Sequence, residues 1–71
     1  MPYDQILNIV NQHLPGCDPK QTLKQNCCDS LLATIIHADV EAYVNADVPS
    51  EWLVTYTIAE WAEKAAVLID L

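Results

Sequence analysis

Residues 29–49 read DSLLATIIHADVEAYVNADVP, and the fold turns on this stretch. Leu32, Ile35, Ile36, Val40, Tyr43 and Val44 recur at helical spacing and predict one buried stripe, with Leu31 at its edge. Asp29 or Ser30 opens the helix, since either side chain can accept a backbone N–H bond that the first turn leaves unmade. Ser30, Thr34, His37 and Glu41 follow at steps of four, three and four, so they share one face, expected to be exposed. Pro49 ends the segment by pushing Val48 away from helical angles.

Upstream, Tyr3, Ile6, Leu7, Ile9, Val10 and Leu14 trace a second stripe and predict a helix from Tyr3 to Leu14. Pro2 suits its entry, where a missing N–H costs little, and Pro15-Gly16 stops it. Residues 15–28, PGCDPKQTLKQNCC, form a long connection whose single large aliphatic residue, Leu23, is expected to dip into the core. Downstream, Ser50 to Thr55 has room for one or two helical turns. Thr57-Ile58-Ala59-Glu60 is a capping box, Thr57 bonding forward and Glu60 back. The last helix then buries Ile58, Trp61, Ala62, Ala65 and Leu68, with Ile69 beside them, and shows Glu60, Glu63 and Lys64 to water. Trp52, Tyr56 and Trp61 read as core and core-edge aromatics, and Trp52 could border a chain-binding pocket. The fold class is all-α: one domain over residues 1–71, a small four-helix bundle of three long helices and one short.

A chain of 71 residues cannot wall a large catalytic cleft, which argues against a self-sufficient enzyme. Ten Asp and Glu against three Lys give a net charge of −7. Between Lys24 and Lys64 stand Asp29, Asp39, Glu41, Asp47, Glu51, Glu60 and Glu63, and no Lys or Arg. Such a surface repels phosphate backbones and excludes nucleic acid, while it attracts a partner with a basic patch. No apolar run approaches the roughly 18 residues of a membrane span, and no basic stretch precedes an apolar run at the start. A cytoplasmic location is therefore expected, and no membrane partner. Cys17, Cys27 and Cys28 are odd in number and make a poor disulfide framework, which fits a reducing compartment. With His13 they lack the Cys-x-x-Cys spacing of a zinc set, so no metal site is expected. A cysteine nucleophile needs a placed base that the sequence does not identify, and no catalytic residue is assigned.

Asp29-Ser30-Leu31 at the head of the central helix, Val48-Pro49 after it, the short Ser50–Thr55 segment and the Thr57-Ile58-Ala59-Glu60 opening together resemble the acyl carrier and peptidyl carrier protein family over nearly the whole chain. The family's Asp-Ser-Leu opens its second helix, and an aliphatic-Pro pair closes it at a similar distance. Small size, acidity and a long first loop agree. The resemblance implies an acyl-carrier-like bundle in which Ser30 is the attachment point of 4′-phosphopantetheine. It further implies that a separate phosphopantetheinyl transferase directs the Ser30 hydroxyl at the pyrophosphate of coenzyme A, with Asp29 orienting that chemistry or its metal. The arm's thiol then carries acyl or aminoacyl cargo as a thioester for fatty-acid, polyketide or nonribosomal-peptide-type biosynthesis. Leu31, Thr34, His37 and Glu41 would meet acyl- or aminoacyl-loading and processing enzymes bearing basic patches. On this reading the chain is a stand-alone, monomeric carrier, not an enzyme.

The chain departs from the family just before the serine. Carrier proteins usually place Gly two residues ahead of the Asp, where this chain has Cys27. Gly tolerates positive φ, Cys only at a cost, so the loop is expected to differ. The second helix holds only Asp39 and Glu41 as acids between residues 31 and 46, which favours a specialised pathway over bulk fatty-acid synthesis. A reading from another class is a small acidic helical interaction module, an adaptor or viral assembly component. In it Ser30 merely caps a helix and an exposed apolar patch does the binding.

Overall fold

The computed structural model describes residues 1–70, and all their regular structure is helical. Helix α1 spans Pro2–His13, α2 Ser30–Val44, α3 Trp52–Thr55 and α4 Ile58–Val67, followed by a 3₁₀ turn at Leu68–Asp70. No helix among the described residues is long and apolar enough to cross a membrane.

Local chemistry accounts for the helix ends. Asp29 caps α2, its Oδ1 accepting from the Leu32 N–H at 2.7 Å. Asn45 closes α2 in the left-handed region at φ 56°, a conformation Asn tolerates, and its N–H bonds the Glu41 carbonyl. At α4 both halves of the Thr57–Glu60 capping box are made. The next two amides of that helix, Ile58 and Ala59, donate across the molecule to the carbonyls of Gln21 and Pro19, each at 2.9 Å. The long connection therefore completes the N-terminus of α4, satisfying donors that a free helix end leaves to water.

The core is Ile6 and Val10 of α1, Leu23 of the connection, Ile36, Val40 and Val44 of α2, Val48, and Ile58, Trp61, Ala62 and Ala65 of α4. Helix α1 packs chiefly on α4 and next on α2. Trp61 is the largest enclosed side chain, and its Nε1 has no hydrogen-bond partner among the described residues. At the far end of α1, His13 Nε2 lies 2.5 Å from Asp39 Oδ2 and ties α1 to α2.

Four expected placements are corrected. Ile35 and Tyr43 are 42% and 41% exposed rather than buried, because α2 is apolar over more of its surface than its few neighbours can cover. Ile69 is likewise exposed, and Leu68 only half-buried, because the chain leaves α-helical winding after Val67. The long helices otherwise fall within one residue or so of the sequence-based bounds at their starts, and the short helix begins at Trp52 after a turn at Ser50-Glu51.

Ile36 is wholly enclosed between α2 and the rest of the core. Truncation to Ala is expected to cost about 2–5 kcal/mol, the range for a buried aliphatic whose cavity only partly relaxes. Urea denaturation of the parent and of Ile36→Ala measures it, and a loss near that of a surface substitution contradicts the packing described.

Candidate functional site

The approach to Ser30 is built by a turn at Leu23–Cys27. The Asn26 N–H bonds the Thr22 carbonyl, the Cys27 N–H bonds that of Lys24, and the Cys28 N–H reaches back to that of Leu23 at 3.0 Å. This paired closure is a Schellman motif, and it requires the left-handed region at its penultimate residue. Cys27 occupies that place at φ 64°. The position where the carrier resemblance puts Gly thus has the backbone that Gly favours, with a Cys bearing the steric cost. The Asn26 side chain locks the turn, donating to the carbonyls of Asp18 and Thr22 and accepting the Asp18 N–H at 2.6 Å.

Ser30 follows as the first residue of α2, exposed and at the positive end of a 15-residue helix. Beside it opens a cavity of about 350 Å³ lined by Leu23, Lys24, Cys28, Asp29, Ser30, Ala33, Leu53 and Val54. Its volume lies in the range of small-molecule sites, and its walls are mostly apolar. Val54 on its wall is 72% exposed, and Leu31, next to Ser30 in sequence, is 71% exposed. Trp52 does not line it, contrary to expectation. That ring packs edge-on to Tyr56, and Lys64 of α4 lies over both, 4.6 Å from the Tyr56 centroid and 5.8 Å from that of Trp52. Leu53 and Val54 supply the α3 wall instead, because a helix of one turn has no stripe from which its orientation can be read.

The expected exposed face of α2 divides in two. Ser30 and Thr34 are exposed, and the Thr34 hydroxyl donates to the Ser30 carbonyl at 2.9 Å. His37 and Glu41 are partly buried, which corrects the expectation that they stand exposed with Ser30 and Thr34. They flank the buried Ile36–Val40–Val44 line on the side where the chain returns from α2, and both turn towards Val48. His37 Nε2 donates to the Val48 carbonyl at 2.6 Å, a bond that places the ring proton on Nε2 because a carbonyl only accepts. Glu41 Oε2 accepts the Val48 N–H at 2.9 Å, and Glu41 Oε1 lies 3.6 Å from His37 Nδ1.

Burial pushes the thiols of Cys17 and Cys28 up from their ordinary value, with the neighbouring Asp18 and Asp29 adding to it. Both are held as thiols rather than nucleophilic thiolates. Among the described residues no group of three or more His, Cys, Asp or Glu converges on a metal position. No protein-family model matches the chain, and no curated protein or solved structure does so either.

Two outcomes follow from the cysteines. Cys27→Gly removes the left-handed penalty of about 1–2 kcal/mol, less the extra freedom Gly gains when unfolded, for a net gain of about 0.5–1 kcal/mol in denaturation. The raised thiols give a pH dependence whose sign is fixed. Unfolding lets Cys17 and Cys28 ionise at ordinary values, so their contribution is whole below about pH 8.5 and is lost as the pH climbs through the raised folded values. Denaturation midpoints should fall on the alkaline side, and fall less in a Cys17→Ala, Cys28→Ala variant.

Proposed function

We propose that the chain is a carrier domain on which Ser30 is modified with 4′-phosphopantetheine, serving acyl- or aminoacyl-transferring enzymes. The observation that carries this reading is the juxtaposition of an exposed serine at the head of α2 with a mostly apolar cavity of about 350 Å³. The residues present suit the group. Ser30 Oγ is open to a transferase, the α2 N-terminus favours a phosphate diester there, and Lys24 on the cavity wall adds positive charge nearby. When bound, the arm supplies a thiol that holds cargo as a thioester. The chain's own residues expose the serine, cap the helix beneath it through Asp29, and offer Leu23, Ala33, Leu53 and Val54 as apolar shelter. The left-handed Cys27 supports the same reading, since it keeps the backbone course of a Gly-containing loop.

The exposed Leu31 and Val54 favour a second reading, an acidic helical interaction module that binds a partner through them. In the carrier reading the same residues contact the loading enzyme.

Intact mass after incubation with a broad-specificity phosphopantetheinyl transferase and coenzyme A separates the two. A gain of one phosphopantetheine, abolished in Ser30→Ala, is the expected result. An equal gain in Ser30→Ala moves the site elsewhere, and no gain in the parent favours the interaction module. Charge reversal at Glu41 is a poor probe of partner attraction, because it also removes the acceptor of the Val48 N–H.

A further inference from the structure

Helix α3 forms one wall of the Ser30 cavity through Leu53 and Val54, yet it contains no fully buried residue. Trp52 and Leu53 pack against the core only in part, so burial within the helix holds it loosely and its other attachments bear on where it sits. One attachment is Lys64 over the Trp52 and Tyr56 rings. The other is Val48, which is buried and has both backbone polar groups gripped by α2 side chains, the N–H by Glu41 and the carbonyl by His37. From Val48 the chain to the cavity wall is stiff. Pro49 fixes its own φ, and Trp52, Leu53 and Val54 donate to the carbonyls of Pro49, Ser50 and Glu51 in consecutive tight turns of 3.2 Å each.

We infer that His37 and Glu41 are positioning residues for the Ser30 cavity: by holding Val48 they set the height of α3, and so decide whether the cavity closes round an apolar chain. That such a chain is cargo rests on the carrier reading; the grip and its effect on the cavity do not. The required chemistry at Glu41 is that of an acceptor and at Nε2 of His37 that of a donor. Charge on Glu41 is not what the grip needs, so Glu41→Gln, whose amide oxygen can accept the same N–H, should keep it.

The test uses the full, unmodified chain. Backbone amide exchange is followed for Val48, α3 and the interiors of α1 and α4, and the neutral fluorophore N-phenyl-1-naphthylamine probes the cavity. In Glu41→Ala and in His37→Ala, exchange at Val48 and in α3 should quicken about tenfold, as loss of a bond to a charged or buried partner implies, while α1 and α4 keep their protection. Probe binding should weaken several-fold in the same variants, and Glu41→Gln should restore both signals. His37→Ala serves independently if Glu41→Ala does not fold. Unchanged exchange in α3, an equal rise in every helix, no probe binding by the parent, or failure of Glu41→Gln to restore would each overturn the inference. A parent that takes no phosphopantetheine while showing the graded exchange would sink the carrier reading and leave the grip standing.

Discussion

Burial of Leu23 is the contact on which the arrangement depends. It lies in the middle of a polar connection of fifteen or so residues and is only 3% exposed, so it pulls an otherwise hydrophilic segment against the bundle. Once it is seated, the carbonyls of Pro19 and Gln21 reach the free amides of α4, and the Leu23 carbonyl takes the Cys28 N–H that aims the chain at α2. The start of α2, and with it Ser30, is thus set by one aliphatic side chain and three backbone bonds. Without that anchor the connection would be ordered at an entropic cost with only the partial burial of Cys17 and Cys28 to offset it.

The long helices were legible because each carries an apolar stripe dense enough to show its period, and because α2 and α4 begin on side-chain caps adjacent in sequence. The Thr57–Glu60 box and the Asp29 cap are local devices, and local devices can be read locally. Leu23 was legible for the opposite reason, as a lone aliphatic among polar neighbours. Ser30 stood out only through resemblance, since Asp-Ser before a helix is common as a plain cap.

What escaped the sequence depends on where the chain returns. His37 and Glu41 lie on the flank of the α2 stripe, and helical spacing alone cannot say whether that flank meets water or the residues after Asn45. The signal was present in Val48-Pro49: a buried residue held out of helix must find partners for its N–H and carbonyl, and two polar side chains one turn apart stood ready. The walls of the cavity escaped for a related reason. Leu53 and Val54 belong to a single turn whose orientation comes from its attachments. Ile35 and Tyr43 mark the reverse limit, apolar residues that a bundle this small cannot cover.

The two indoles of this chain sit in opposite surroundings. Trp61 is enclosed in the core with its N–H unpaired among the described residues, whereas Trp52 is half-open to water and shares a lysine with Tyr56. Their emission should accordingly separate, Trp61 blue and Trp52 shifted to the red and sensitive to the ammonium above it. The molecule therefore contains its own pair of optical gauges, one reading the centre of the bundle and the other the helix beside Ser30, and a movement confined to α3 changes the colour of the second while the first stays constant.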